Sequence, residues 1–364
     1  MKYNLADICE YAKGKVDVAI LDDETYISTE NMMPNKGGIT SASSLPTIAQ
    51  TQVFLAGDVL VSNIRPYFKK IWFAEFDGGC SNDVLVFRAK DGVSKRFLYY
   101  VLSDDTFFDY SMATSKGTKM PRGDKAAIMK YEVPDFTYEE QEKIAGVLEA
   151  LDRKIQLNTE INENLLQQAI ALYEHLIQNA EWPTATILDV AEKVAMGPFG
   201  SNIKVSTFVP EGVPIISGNH LRGYFLEEPE FNYITEEHAE RLKNSIVYDR
   251  YVLSQRQFYL RCDETKVVPE FLLMFFHSAS GQHELLSYAN QTGVPSIAQP
   301  ASNLKKIPFK CPPMQEQLMW REQVHPLLGR YLNNRLENER LSSLRDALLP
   351  QLMSGELDVS DIDL

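Results

Sequence analysis

The stretch EEQEKIAGVLEALDRKIQLNTEINENLLQQAIALYEHL (residues 139–176) decides the fold, because apolar or amide residues return in alternating four- and three-residue steps along it. Ile144, Leu148, Leu151, Ile155, Asn158, Asn162, Leu165, Ala169, Leu172 and Leu176 fall on that seam. A heptad spacing sustained this long lines one face of an α-helix and asks for a second helix to cover it. The chain supplies one. QEQLMWREQVHPLLGRYLNNRLENERLSSLRDALLPQL (residues 315–352) lies 176 positions later and sets Trp320, Val324, Leu327, Tyr331, Asn334, Asn338, Leu341, Arg345, Leu348 and Leu352 at the same places. Two Asn occupy matching seam positions in both runs. Seam amides cost stability but penalise slipped registers. The two helices are therefore expected to pair with each other, antiparallel, with Asn158 or Asn162 beside Asn334 or Asn338.

Working outward, the regions before the two helices also echo each other. Leu5-Ala6-Asp7-Ile8 resembles Ile187-Leu188-Asp189-Val190, Val86-Phe87-Arg88 resembles Tyr259-Leu260-Arg261, and Phe97-Leu98-Tyr99-Tyr100 resembles Phe271-Leu272-Leu273-Met274. Short strand-like runs (Val59 to Ile64, Ile71 to Phe76, Val84 to Arg88) alternate with turns such as Asp77-Gly78-Gly79, and one amphipathic helix fits near Ser94 to Leu102. Thr137 is an expected N-cap, with Glu140 completing a capping box. The expected fold is α+β: mixed α/β domains at 1–136 and 180–312, long helices at 137–179 and 313–354 pairing as an antiparallel coiled coil, and an acidic tail at 355–364. One mismatch stands out. The second half lacks a counterpart of Gly57-Asp58-Val59-Leu60-Val61-Ser62-Asn63-Ile64-Arg65 and runs instead through Tyr248-Asp249-Arg250. Residues missing from the chain explain this better than a lost hairpin, which would expose a core.

Composition narrows the function classes. The chain has 364 residues, 44% of them hydrophobic, which is enough for two ordinary cores. No apolar run is long enough to span a bilayer, no secretory signal opens the sequence, and the four cysteines form no Cys-x-x-Cys pair. A cytoplasmic protein with free thiols and no metal site is expected. The net charge of −14 argues against nucleic acid at first sight. The bases are nonetheless gathered. Lys116 to Lys130 holds five bases and the single acid Asp124, and Val61 to Lys70 holds Arg65, Lys69 and Lys70 with no acid. Catalytic signatures are missing: no Gly-rich cofactor loop, no Asn/Asp-Pro-Pro-aromatic motif, and no His or Cys set with ligand spacing. Asp263-Glu264-Thr265-Lys266 reads as a solvated turn, and His277 as a core histidine.

The alternation of globular region, proline-led Glu-Gln helix start and Asn-containing seam, twice over, resembles a type I restriction–modification specificity subunit. Gly57-Asp58-Val59-Leu60-Val61, Gly117-Thr118-Lys119-Met120-Pro121, Pro312-Pro313-Met314-Gln315-Glu316-Gln317 and the terminal Leu348-Leu349-Pro350-Gln351-Leu352-Met353-Ser354-Gly355 carry that resemblance. It implies two target-recognition domains, each reading half of a bipartite, asymmetric site in double-stranded DNA, spaced by helices that dock methyltransferase subunits. S-adenosylmethionine would then sit on the methyltransferase partner and no cofactor on this chain. A motor-nuclease (restriction) partner stays open.

On that footing the candidate DNA contacts are Arg65, Tyr67, Lys69 and Lys70 in one stretch, and Lys116, Thr118, Lys119 and Arg122 in the basic loop. In the second domain they are Asn219, His220 and Arg222, with Thr292 and Ser296 in the loop that matches the basic one but has no cation. Lys and Arg neutralise phosphates, and Arg also grips guanine O6 and N7. The alternative is a non-catalytic protein–protein scaffold with tandem binding domains. Scattered bases favour the scaffold, clustered ones the DNA reader.

Overall fold

The computed structural model describes residues 3–359 except 179–180, 199–201, 227–229, 249, 256, 290–296 and 298. Two compact units divide the chain: Met1–Thr159 with Arg335–Leu364, and Glu160–Asn334. The division passes through both long helices, Tyr138–Gln178 and Met314–Ser354. Each unit thus holds one globular region and a length of each helix, where consecutive segments were expected.

In the first unit the strand Val59–Ser62 is buried at every residue. Successive side chains of a strand face opposite ways. Val59 and Val61 join Leu85 and Phe87 in a core shared with the helices, while Leu60, Val84 and Val86 enter a second core. A strand covered on both faces must be apolar at consecutive positions, which is why Val-Leu-Val reads as a run and not an alternation. The sheet order is Cys9–Tyr11, Val84–Ala89, Val59–Ser62, Ile71–Phe73, antiparallel throughout. A second sheet (Lys15–Asp17, Gln50–Phe54, Gly78–Cys80, Tyr26–Ile27) encloses the other core with Phe54, Ile27 and Cys80. The Gly57-Asp58 turn starts the central strand. Gly57 takes φ +91°, and the Asp58 carboxylate accepts from Leu55 N (2.8 Å) and from both Nε (2.8 Å) and a terminal NH2 (2.6 Å) of Arg88. The tail folds back on this unit, with Val359 buried in its core. Burial pushes the Cys9 and Cys80 thiols up to about 12, so both stay protonated.

The Glu-Gln helix starts have a mechanical role. Thr137 N donates to Glu140 Oε2 (2.7 Å) and Glu140 N to Thr137 Oγ1 (3.3 Å), closing the capping box. Gln141 is buried; its Oε1 accepts from Ser94 N (3.0 Å) and its Nε2 donates to Phe136 O (2.9 Å). It therefore stitches the N-terminus of the helix Lys95–Ser103 to that of the long helix. Gln317 repeats this in the second unit, accepting from Val268 N (2.9 Å) before the helix Pro269–His277 and donating to Pro312 O (2.7 Å).

The seam residues meet across the two long helices in both units. In the first, Ile144 and Leu148 share a core with Leu349 and Leu352, and Leu151, Ile155 and Leu341 are half-buried. Asn158 Nδ2 donates to Asn338 Oδ1 (2.9 Å) and Glu337 Oε2 (2.8 Å), and Asn338 Nδ2 to Ile155 O (3.2 Å). Farther along, Asp152 accepts from Arg345 (2.8 Å) and from the hydroxyl of Tyr100 (2.8 Å), tying the domain to the helix pair. In the second unit Asn334 Nδ2 donates to Asn162 Oδ1 (2.9 Å), Asn162 Nδ2 to Tyr331 O (3.2 Å), and Tyr173 packs on Trp320 at 6.4 Å. Val324 is buried there, and Leu165, Leu327 and Tyr331 are half-buried. Residue numbers rise on one helix as they fall on the other, so the helices form an antiparallel coiled coil.

The second unit has a four-stranded sheet in the order Asn232–Ile234, Val213–Ile216, Tyr251–Leu253, Ile246–Val247, and a separate pair, Ala191–Met196 with Phe258–Cys262. The expectation of missing residues near Tyr248-Asp249 is corrected here. The backbone turns tightly: Arg250 N donates to Val247 O (3.3 Å), and Ile246–Val247 pairs antiparallel with Tyr251–Leu253. Ser254 N then meets Ile216 O (2.8 Å), and the chain passes within a few residues into Phe258–Cys262. Among the described residues, nothing stands where Ile71–Phe73 lies in the first unit. There Phe73 sits edge-on to Tyr99 at 6.0 Å. Here the matching helix face, Leu272, Leu273 and Phe276, lines an apolar cleft of about 620 Å³ together with Leu253, Phe258 and Leu260. Among the described residues, the helix face that such a hairpin would cover lines this cleft instead. His277 is also corrected: it is solvent-exposed, with its ring stacked on Tyr224 at 3.8 Å.

Candidate nucleic-acid interface

The two basic stretches of the first domain, some fifty residues apart in sequence, lie side by side. Lys116 and Arg122 exchange backbone hydrogen bonds (2.9 and 3.0 Å), closing the basic loop into a hairpin tip with Gly117 at φ +94°. The far strand of that tip bridges to the other stretch. Ile64 and Arg122 form an antiparallel bridge, Arg65 N donates to Pro121 O (2.8 Å), and Gly123 N to Asn63 O (3.3 Å). Pro121 and Gly123 are buried beneath, whereas Gly117, Thr118, Lys119, Met120 and Arg122 face solvent. Tyr67 and Phe68 are also exposed, with ring centroids 4.7 Å apart. The result is a small ribbon that carries cations and aromatic rings on one surface.

Several of these cations already have partners. Lys116 meets Asp124 at 2.5 Å, Arg122 meets Asp83 at 3.1 Å, and Lys69 meets Asp105 at 2.8 Å. Lys70 donates to Thr29 O (2.6 Å), and burial lowers its pKa against the opposing pull of Glu30. The hydrogen bond from Lys116 and the N-cap bonds from Ala127 and Ala126 hold Asp124 below the ordinary carboxylate range. Lys119 has no ion pair among the described residues. Exposed pairs are worth about 1 kcal/mol or less, so these carboxylates orient the cations without removing them from reach of a stronger anion. Arg65 is half-buried and takes a left-handed backbone (φ 51°), with a buried Nε that has no partner among the described residues.

A contact that sequence reasoning missed adjoins this ribbon. The turn Asn35-Lys36 docks on it through Asn35 N to Phe68 O (2.8 Å) and Lys36 N to Lys69 O (2.8 Å), which brings Lys36 within 2.9 Å of Asp105. The Asn-Lys-Gly-Gly run is a turn signature, but nothing local says where the turn docks.

The second domain is less coherent. Asn219 and Arg222 are exposed and bonded to each other (3.1 Å) in the turn after Val213–Ile216. His220, expected to read DNA, is corrected. It is buried, its Nδ1 accepts from Ser217 N (2.9 Å), and its ring stacks on Phe231 at 4.5 Å. That bond leaves the proton on Nε2, in a fixed, inward-facing ring. Thr292 and Ser296 lie outside the described residues. Among the described residues, no three His, Cys, Asp or Glu side chains converge as a metal set, and no helix is long and apolar enough to cross a membrane.

The family described as the type I restriction modification DNA specificity domain matches residues 1–167. Over those residues, just under half of its length, the chain is similar to that family. A relative within it, the type I restriction enzyme MjaIX specificity subunit of Methanocaldococcus jannaschii, is 24% identical over 326 residues, 75% of this chain and 71% of that one. The EcoDI specificity subunit of Escherichia coli is 28% identical over 155 residues, and the HindI specificity subunit of Haemophilus influenzae 29% over 184. Those two alignments span 33% and 39% of the relatives' lengths. The fold is shared with the crystal structure of the S subunit from M. genitalium, at a TM-score of 0.57 and 15% identity, covering 97% of this chain and 96% of that one. Within this family frame, the clustering of cations on the ribbon of the first domain argues for a DNA reader over a scaffold.

Proposed function

We infer that this chain is the DNA-reading subunit of a type I restriction–modification complex and performs no chemistry itself. The observation that carries the reading is the bridge between the Asn63–Lys70 and Lys116–Arg122 stretches, which assembles one cationic, aromatic surface inside a specificity domain. Phosphate contacts position such a surface on the duplex, and an Arg or amide side chain reads base edges. The exposed loops of the two domains differ in chemistry, the first rich in cations and the second offering Asn219 and Arg222. The target is accordingly bipartite and asymmetric. Methyl transfer belongs to partner subunits that dock on this chain and bind S-adenosylmethionine; a motor-nuclease partner converts recognition into restriction where one is present.

The test is to express the chain with its modification subunits and map methylated adenines across the host genome. Two short specific blocks around an unread gap are expected. Replacing residues 1–136 by the matching domain of another family member should change one block and leave the other. Methylation without this chain, or both blocks changing together, would overturn the reading.

A further inference from the structure

Lys36 and Lys69 reach Asp105 from two different loops, one on each carboxylate oxygen, at 2.9 and 2.8 Å. Their side chains are only 18% and 30% exposed, whereas that of Asp105 is 57% exposed. Two lysines with largely covered side chains share one outward carboxylate, so the three groups of this seat together carry one net positive charge. Uncompensated charge is costly to cover, and the exposed Asp105 is the one member placed to give way to another anion.

The backbone around the seat is also unusual. Asn35, Lys36, Arg65 and Lys69 all have left-handed φ, between 49° and 60°, without being glycine. Each such residue costs roughly 1–2 kcal/mol, and residues so held cluster at functional sites where the surrounding structure fixes them. Here backbone bonds from Asn35 to Phe68, Lys36 to Lys69 and Arg65 to Pro121 do the fixing. Three of the four residues are cations, and all four adjoin the ribbon that carries the proposed DNA surface.

We propose that Lys36 and Lys69 form a preorganised seat for one phosphate of the DNA backbone, with the Asp105 carboxylate holding its place until DNA arrives. The exposed Asp105 side chain swings out, and a phosphodiester oxygen takes its position between the two ammonium groups. This deepens the proposed function and rests on it. The seat recognises a phosphate, so it adds affinity and register but no preference among bases.

The experiment uses the full chain in complex with its modification subunits and a short fluorescein-labelled duplex of arbitrary sequence, titrated over a range of salt. Lys36→Gly keeps the left-handed turn and removes the ammonium, so folding is not at risk. The salt slope should fall by about 0.9. Between 50 and 200 mM salt the wild-type complex should then lose about 3.5-fold more affinity than the variant. Asp105→Asn should tighten binding severalfold, and that gain should vanish when Lys36→Gln and Lys69→Gln are also present. An unchanged slope in Lys36→Gly overturns the seat. So does an Asp105→Asn gain that survives loss of both lysines, since that gain would be long-range charge alone. A wild-type complex that binds no duplex at low salt would fail the proposed function itself, a result distinct from either.

Discussion

Arg122→Ala separates what the basic loop does for the fold from what it does for DNA. Only the side chain changes. The two backbone bonds between Arg122 and Lys116 and the bridge to Ile64 remain. What is lost structurally is the pair with Asp83, 3.1 Å long between groups 54% and 35% exposed. Such a pair contributes about 1 kcal/mol at most, which would lower the first unit's melting temperature by less than about 4 °C. Binding should respond far more. If Arg122 meets phosphate, the salt slope of the assembled complex drops by about 0.9 and all sequences weaken alike. If it grips a guanine, loss of 1–3 kcal/mol weakens the cognate duplex roughly five- to 150-fold and relaxes the requirement at one position. Melting curves alongside fluorescence anisotropy at several salt concentrations, on cognate and scrambled duplexes, distinguish these outcomes. A variant that melts much earlier while its affinity and slope stay at wild-type values would refute the assignment and leave the loop a structural turn.

Gly123→Ala would place a Cβ 2.8 Å from Asn63 Oδ1 and from Ile128 Cδ1; an overpacking cost of about 1–3 kcal/mol, accompanied by weaker DNA binding, is expected from calorimetry and anisotropy on one preparation. In the seam, Asn338→Leu removes one of the two acceptors of the fully buried Asn158 amide, leaving Glu337 Oε2 as the other, and should destabilise by about 0.5–1.5 kcal/mol. Adding Asn158→Leu should recover much of that loss in denaturant titrations, a coupling that strictly additive values would exclude. Asp105 sits below the ordinary carboxylate range, where burial alone would raise it, because Lys69 and Lys36 hold it charged. Its contribution is therefore complete above the unfolded-state value of about 3.9 and is lost as pH falls through the lower folded value. The stability gap between wild type and Asp105→Asn should close in acid, and a gap constant with pH would count against the ion pairs.

The coiled coil was legible because its signal is local, long and repeated; ten seam positions in each run constrain one face, and even the Asn pairing follows. The strand Val59–Ser62 was legible for the related reason that a doubly covered strand is apolar at consecutive positions, here Val59, Leu60 and Val61. The roles of Gln141 and Gln317 were hidden, since each depends on a backbone N–H about fifty residues away. Lys36 was overlooked on the same ground. His220 misled because a polar Ser-Gly-Asn-His-Leu-Arg run gives no sign that one side chain turns inward to accept a backbone hydrogen bond. The short second sheet ran against an assumption, that a domain would not give up a strand and leave an open cleft.

Under the 176-residue repeat Asn158 corresponds to Asn334 and Asn162 to Asn338. The observed pairs are Asn158 with Asn338 and Asn162 with Asn334. Each joins one kind of position to the other kind, so the two contacts are a single contact made twice. A polypeptide only one repeat long would carry both partners of that contact, and two copies laid antiparallel would close it about a dyad, as in any isologous dimer. The internal repeat thus closes on itself as an isologous pair would, while its halves differ in that the first carries the Ile71–Phe73 strand and the second shows no counterpart among the described residues.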